Sequence, residues 1–194
     1  MRIGVFGGEF SPPHKGYVET VKAFLTQMRL DLVYIAVLDG DVPAAHRVRM
    51  CELAFEGVDG IVVIDLSRKK DMAFPKDLLS ELARPDARLF WLCGSETLLG
   101  KTGKFDEKTV FGLAYPVYFR QDEDPGKDKE IVARIAAIKD LYGRQTVRLV
   151  TDPVLIREVE IRKMLKSGID TQGSLPDAVK RYIQENELYK EEKT

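Results

Sequence analysis

The residues best suited to chemistry lie at the start of the chain, where two glycines precede a histidine and a tyrosine. Gly7 and Gly8 directly follow the apolar run 2–6, and adjacent glycines can turn backbone N–H groups toward an anion without a Cβ in the way. His14 and Tyr17 are three positions apart, which places them on one face of a helix that begins there. The pattern predicts a phosphate in a Gly7-Gly8 turn, backed by the N-terminus of that helix, with His14 and Tyr17 facing the same pocket.

The elements that would position these residues follow from the hydrophobic pattern. The run 2–6 predicts a first strand, and an apolar stripe predicts a first helix from about Lys15 to Met28. The nearly apolar run 60–66 predicts a strand covered on both faces, and the charged run 121–129 predicts a solvated loop. Further strands are expected at 32–38, 88–93, 116–120 and 146–150, and further helices after residue 45 and at 77–82, 131–141, 158–166 and 176–187.

Strands that alternate with helices at short intervals predict an α/β fold with a Rossmann-like, doubly wound parallel sheet, in a single domain over residues 1–194. Ligands of such sheets bind beyond the carboxyl ends of the strands, at the switch point beside the first strand. The two glycines follow that strand, so this edge of the sheet is the predicted site.

Composition narrows the classes of function. The 30 Lys and Arg residues nearly balance the 31 Asp and Glu residues, so no overall basic field indicates a nucleic acid as a partner. The two cysteines, Cys51 and Cys93, exclude a disulfide framework and suit a reducing cytosol. The chain has no signal-like start and no apolar run of about 20 residues, so we expect a soluble cytoplasmic protein that engages no membrane. A homo-oligomer is allowed, because the sequence does not reveal the oligomeric state.

Residues 7–17 resemble the GGTFDPPHxGH opening of the nucleotidylyltransferase superfamily, and most closely that of the nicotinate-nucleotide adenylyltransferase family. Three positions depart from this motif, since Glu9 replaces Thr, Ser11 replaces Asp and Tyr17 replaces the second His. The positions that match it are Gly7, Gly8, Phe10, Pro12, Pro13, His14 and Gly16.

The resemblance extends over most of the chain. Residues 94–96 are similar to the family's Gly-x-Asp but carry a longer carboxylate, and residues 175–189 are similar to its closing helix. Residues 156–162 are similar to the family's ISSTxxR, in which Ile156 and Arg162 match. The three hydroxyl residues of that segment are replaced by Arg157, Glu158 and Val159. Between the second and fourth strands, where the family shapes its pyridine pocket, the match is poor.

The resemblance implies a nucleotidylyltransferase-type fold and an adenylyl transfer, in which the phosphate of a pyridine mononucleotide attacks the α-phosphorus of ATP and pyrophosphate leaves. It implies that His14 contacts the α-phosphate and that Arg162 contacts the outer phosphates. Tyr17, the third expected catalytic residue, can donate one hydrogen bond but carries no positive charge near neutral pH. Mg²⁺ is expected to bind mainly through the ATP phosphates and water, with no metal site built from protein side chains. The other residues expected around the nucleotide are Gly7, Gly8, Glu9, Phe10, Lys15, Gly94, Glu96, Ile156 and Arg157.

The residues leave three functions open: an adenylyltransferase of NAD biosynthesis, a related nucleotidylyltransferase with another phosphorylated substrate, and a nucleotide-binding module with little or no catalysis. Single residues also have structural alternatives. His14 could be a helix-start histidine bonded to nearby backbone, and Arg162 a solvated arginine late in a helix. Both cysteines are expected in the core and His46 on the surface.

Overall fold

A computed structural model describes residues 1–69, 71–102 and 105–190. Its strands are β1 (Arg2–Gly8), β2 (Leu32–Val37), β3 (Ile61–Asp65), β4 (Arg88–Gly94), β5 (Ala114–Phe119) and β6 (Val147–Arg148). They form one parallel sheet in the order β3-β2-β1-β4-β5-β6. From β1 the chain adds β2 and β3 on one side of the sheet. It then crosses to the other side of β1 and adds β4, β5 and β6. The predicted doubly wound α/β fold is confirmed, with its switch point between β1 and β4.

Helices cover both faces of this sheet. They are α1 (Lys15–Gln27), α2 (Ala44–Ala54), α3 (Lys76–Leu82), α4 (Ser95–Leu98), α5 (Glu107–Leu113), α6 (Gly126–Tyr142), α7 (Glu158–Lys166) and α8 (Asp177–Glu185). Helices α1, α2, α7 and α8 share one apolar core, and α3, α4, α5 and α6 share the other. Along β4, Phe90 and Leu92 belong to the first core and Trp91 and Cys93 to the second, because successive side chains of a strand point to opposite faces.

Every predicted element is present, most of them with small shifts at their ends, but α4 and α5 were not predicted. Helix α4 is a single turn, too short to show a period. Helix α5 begins after Asp106, whose carboxylate accepts a hydrogen bond from the backbone N–H of Thr109 at 3.0 Å. This Asp-x-x-Thr cap is visible in the sequence and would have indicated α5.

The predicted Gly7-Gly8 turn is wrong. Both glycines continue β1, where they lie opposite Ala36 and Val37 of β2. A Cβ on Gly7 would lie 2.3 Å from the ring of Phe74, whereas a Cβ on Gly8 would find its nearest neighbour at 3.5 Å. The aromatic ring that packs on the strand therefore leaves no room for a side chain at position 7. The chain turns only beyond Gly8.

Three other predictions need correction. The residues of β3 are half-buried rather than covered on both faces, because β3 is an edge strand whose one neighbour in the sheet is β2. The run 121–129 is not a solvated loop throughout, since α6 begins at Gly126 and Lys127 lies between two acidic side chains. Strand β6 is also shorter than the predicted 146–150.

Candidate active site

A cavity of about 560 Å³ opens at the switch point, beyond the carboxyl ends of β1, β4 and β5. Each neighbouring element contributes a polar side chain to its wall. The contributing residues include Glu9 after β1, Tyr17 on α1, Glu96 after β4, Asp122 after β5, and Arg157 and Arg162 at α7. Oppositely charged groups thus meet at the edge where doubly wound sheets bind their ligands.

His14 lies at the N-cap of α1 and is completely buried. Neither ring nitrogen has a hydrogen-bond partner in the part of the chain that the structure describes, so the alternative of a backbone-bonded histidine is wrong there. Burial lowers the pKa of His14 to about 4, which leaves the imidazole neutral near pH 7. Since buried polar groups are nearly always hydrogen-bonded, two unpaired nitrogens indicate a place for a ligand atom.

Tyr17 covers His14. The two rings are stacked, with centroids 3.9 Å apart, and the tyrosine also meets Phe6 and Phe10 edge-on. Burial, with the negative charges of Glu158 and Glu9, raises the pKa of Tyr17 well above its usual value, so its hydroxyl stays neutral. The cavity wall contains Tyr17, whereas His14 lies behind it. The expectation that both face one pocket therefore needs correction, because the larger ring at position 17 shields the imidazole.

Arg162 reaches from α7 to the loop that follows β1. One of its Nη atoms donates to the backbone oxygen of Ser11 at 2.7 Å, across 151 positions of sequence. Its Nε lies 3.1 Å from Asp41, and its Nη1 lies 3.8 Å from Glu158. The alternative of a solvated arginine is wrong, because Arg162 is tied to two other segments and is only 20% exposed.

Glu158 stands where the resemblance expects a hydroxyl residue, and no pattern in the sequence assigns it a role. Its side chain is 14% exposed on the cavity wall. Burial, with the charges of Glu9 and Asp41, raises the pKa of Glu158 to about 7 against the lowering effects of a hydrogen bond from the Ser11 backbone and of the Arg162 charge. Near neutral pH the carboxyl group therefore exists in both forms, and its protonated form can donate a hydrogen bond to an anion.

Glu96 is held on the opposite wall by an ion pair that sequence reasoning missed. Lys127, in the first turn of α6, donates to Glu96 and lies 3.0 Å from Asp122. Hydrogen bonds to Glu96 and Asp122 raise the pKa of Lys127. At Gly94 a Cβ would lie 2.0 Å from the end of the Gln121 side chain, which would have to move to admit it.

The structure separates some predicted nucleotide-site residues from this cavity. The Phe10 side chain belongs to the core, which leaves only its backbone for a ligand. Lys15 is exposed and lines a different groove, of about 770 Å³, between α1 and residues 151–156. Ile156 borders both the groove and the cavity, and Arg157 is exposed at the N-cap of α7.

A second, apolar slot of about 230 Å³ lies beside the cavity and shares Thr102 with it. It runs along the carboxyl ends of β1 and β4. Its walls include Gly7, Phe74, Trp91, Gly94 and Phe105. Gly7 and Gly94 therefore border this slot, and the aromatic rings around it suit a flat ring more than a phosphate.

Arg47 is a further residue that the sequence did not single out. It is 1% exposed and donates to the backbone oxygens of Glu9, Leu38 and Val42 at 2.7, 2.5 and 2.7 Å. This one guanidinium joins the loops that follow β1 and β2. An arginine in an otherwise ordinary helix gives no sequence signal for such a role.

Other expectations concern residues outside the cavity. Both cysteines are buried, and burial raises the pKa of each thiol, which confirms the prediction of core residues. His46 is half-buried, because its Nδ1 is hydrogen-bonded to the Tyr182 hydroxyl at 2.9 Å, so the expected surface position is wrong. In the described ranges, no three His, Cys, Asp or Glu side chains are grouped to hold a metal, and no helix has the length and apolar character of a membrane span.

Known proteins are similar to this chain in sequence and in fold. The cytidylyltransferase-like family model matches residues 5–111. A protein named "probable nicotinate-nucleotide adenylyltransferase" in Gemmatimonas aurantiaca is 32% identical, over 98% of this chain and 93% of its own. One of the same name in Bordetella petrii is 29% identical, over 97% and 99%. The structure of Plasmodium falciparum nicotinic acid mononucleotide adenylyltransferase complexed with APC matches with a TM-score of 0.75 and 19% identity, over 97% and 96% of the two chains.

Proposed function

Because the chain belongs to the nicotinate-nucleotide adenylyltransferase family, within the cytidylyltransferase-like proteins, we propose that it transfers AMP from ATP to a pyridine mononucleotide in NAD biosynthesis. The observation that carries this proposal is the contact of Arg162 with Ser11 at 2.7 Å. It joins the last position of the ISSTxxR-like segment to the GGTFDPPHxGH-like loop, so the two phosphate-binding segments expected from the resemblance share one cavity.

The reaction needs positioning and charge neutralisation more than covalent chemistry. A phosphate oxygen of the mononucleotide forms a bond to the α-phosphorus of ATP, and the bond from that phosphorus to the bridging oxygen of pyrophosphate breaks. In this proposal His14 donates to the α-phosphate, Arg162 and Arg157 hold the outer phosphates, and backbone N–H groups of the loop after Gly8 complete the anion site. Tyr17 must shift for His14 to reach the phosphate.

The apolar slot is the proposed place of the pyridine ring. Its aromatic walls, Phe74, Trp91 and Phe105, can stack on a flat ring, and Thr102 lies where the slot meets the charged cavity. A mononucleotide whose ring lies in the slot would direct its phosphate into the cavity. This arrangement places the attacking oxygen and the ATP phosphates in the same space.

Mg²⁺ enters this proposal with the nucleotide. The exposed Glu9 carboxylate offers an oxygen ligand of the kind that Mg²⁺ accepts, but the described residues supply no further grouped ligands. Phosphate oxygens and water would hold most of its coordination positions. When bound, the ion neutralises charge on the phosphates. We place the reaction in the cytoplasm, which suits two buried, reduced cysteines.

Pyrophosphate release from ATP tests the function. We expect release with nicotinate or nicotinamide mononucleotide and a loss of at least about 10²-fold in Arg162→Ala, because that change removes a donor aimed at developing charge. Arg181→Ala, which changes an exposed arginine of α8, is the matched control and should keep full activity.

One observation favours a second candidate, a nucleotide-binding module without catalysis: Tyr17 shields the His14 imidazole in this structure. Calorimetric binding of ATP without pyrophosphate release from any of the phosphates tested would support that module. Release with a sugar phosphate but with neither pyridine mononucleotide would instead indicate a nucleotidylyltransferase of different specificity.

A further inference from the structure

Arg162 is the end of a chain of two hydrogen bonds and one ion pair that begins near the C-terminus. The Tyr189 hydroxyl lies 3.0 Å from Ser11 Oγ, and Ser11 Oγ donates to Asp41 Oδ1 at 2.6 Å. The other carboxylate oxygen of Asp41 lies 3.1 Å from Arg162 Nε. Four segments that are far apart in sequence thus converge on one guanidinium group.

The direction of these hydrogen bonds is determined by their chemistry. A carboxylate can only accept, so the single hydrogen of Ser11 Oγ goes to Asp41. The Tyr189 hydroxyl must therefore be the donor to Ser11. Burial raises the pKa of Tyr189 far above its usual value, so this hydrogen stays in place at neutral pH. Ser11 is completely buried and Tyr189 is 8% exposed, so both groups depend on each other for hydrogen bonds.

The ion pair with Asp41 and the hydrogen bond to the Ser11 backbone anchor two nitrogens of the guanidinium and leave the third available. Nε faces Asp41, and Nη1 is committed to the backbone oxygen of Ser11. Nη2 takes part in no hydrogen bond with the residues that the structure describes, and Arg162 lines the cavity. A guanidinium presents its donors in a rigid fork, so anchoring two of its nitrogens sets the direction of the third.

The hydrogen bond from Ser11 to Asp41 explains how the loop accommodates a serine where the motif has an aspartate. The motif has an acidic residue at this position, and the serine instead binds a carboxylate supplied by Asp41 from the loop after β2. A negative charge is therefore present at the same point of the loop, from a different segment.

We infer that Tyr189, Ser11 and Asp41 are positioning residues that hold Arg162 in the orientation in which it binds the outer phosphates of ATP. This inference rests on the proposed function for the role of Arg162. It assigns a specific task to the segment after α8, which otherwise lies away from the cavity.

The test compares two tyrosines of the same region. Tyr189→Phe removes only the hydroxyl that donates to Ser11, and Tyr182→Phe removes the hydroxyl bonded to His46, outside the cavity. We expect Tyr189→Phe to weaken ATP and pyrophosphate binding by about five- to tenfold, as loss of one net hydrogen bond implies, and AMP binding by less than about twofold. Tyr182→Phe should change none of the three affinities. Isothermal titration calorimetry measures them, and urea unfolding checks that each variant is folded.

Ser11→Ala is a second variant that breaks the same chain, and it should show the same preference for ATP and pyrophosphate over AMP. In Arg162→Ala, adding Tyr189→Phe should have no further effect on ATP binding, because the tyrosine acts through the arginine. An additive loss, an equal loss for AMP, or unchanged ATP binding in folded Tyr189→Phe would overturn the inference. A wild-type protein that binds ATP but releases no pyrophosphate would contradict the proposed function alone, and these binding experiments would still decide the inference.

Discussion

The phenol ring of Tyr17 lies on the imidazole of His14, with ring centroids 3.9 Å apart and ring planes inclined by 27°. Both imidazole nitrogens are without partners in the described residues, and the ring is completely buried. Water is therefore kept from the one histidine that the motif offers to a phosphate. The ring that stacks on His14 thus comes from position 17, where the resemblance expects a second histidine.

The first prediction concerns the pKa of His14 in variants of Tyr17. In the wild type we expect a value of about 4, since burial disfavours the charged imidazolium. Tyr17→Ala admits water and should move the pKa toward the usual value of about 6.5, whereas Tyr17→Phe keeps the stacked ring and should leave it low. NMR titration of the imidazole protons measures this, and His46, the other of the two histidines, is an internal reference. A wild-type His14 that titrates near 6.5 would contradict the buried placement.

The second prediction separates two adjacent glycines. Gly7→Ala places a Cβ against the Phe74 ring, so overpacking should lower the free energy of unfolding by about 1–3 kcal/mol. Gly8→Ala makes only an ordinary contact, with its nearest neighbour at 3.5 Å, and should change stability by less than about 1 kcal/mol. Urea unfolding of both variants measures the difference. Equal stabilities would show that Phe74 does not pack on β1 as described.

Gly8→Ala also tests the phosphate site, because it preserves the fold while adding a methyl group at the end of β1. If backbone atoms next to Gly8 approach the ATP phosphates, calorimetry should show weaker ATP binding in this stable variant. Unchanged binding would place the phosphates farther along the loop.

The sequence was sufficient to predict the sheet and most helices, because the hydrophobic period of each element is a local property. The elements around β1 and α1 were predicted closely for this reason. Why a glycine occupies position 7 was not predictable, because the reason is the ring of Phe74, which only the fold brings to β1. Lys127 was missed because its charged surroundings resemble a solvated loop until α6 places it beside Glu96. Lys15 was expected at the nucleotide, but the direction of a side chain at a helix start cannot be derived from its neighbours in sequence.

The third prediction follows from Glu158. Its pKa in the folded protein is about 7, above its usual value of 4.5, so the folded state binds the proton more tightly than the unfolded state. The stability from this group is complete below pH 4.5 and is lost as the pH rises through 7. Between pH 5.5 and pH 8, the wild type should therefore lose about 2 kcal/mol that Glu158→Gln does not lose.

Urea unfolding of Glu158→Gln and the wild type at the two pH values measures this difference. His14 contributes the opposite slope, since its lowered pKa makes acid destabilising, but it is present in both proteins and cancels. Glu160→Gln changes an exposed glutamate of the same helix and should follow the wild type at both pH values. A constant difference between Glu158→Gln and the wild type would mean that Glu158 titrates as an ordinary carboxyl group.

The last prediction concerns Arg47, the buried guanidinium that joins the loops after β1 and β2. Arg47→Leu keeps much of the side-chain volume but removes the donors to three backbone oxygens, those of Glu9, Leu38 and Val42. Each buried acceptor left unpaired costs about 1–3 kcal/mol, and water that enters can recover part of this. We therefore expect the free energy of unfolding to fall by more than about 3 kcal/mol.

Arg49→Leu is the matched control, because Arg49 lies on the same helix and is 53% exposed, with one surface ion pair to Glu52. That pair contributes about 0.3–0.5 kcal/mol, so the control should remain close to wild type. Because Glu9 lies in the cavity wall, the folded fraction of Arg47→Leu should also bind ATP more weakly, whereas Arg49→Leu should not. If both leucine variants unfold at the same urea concentration, the loops after β1 and β2 hold their positions without the guanidinium. Arg47 of α2 would then not be what holds this part of the cavity wall in place.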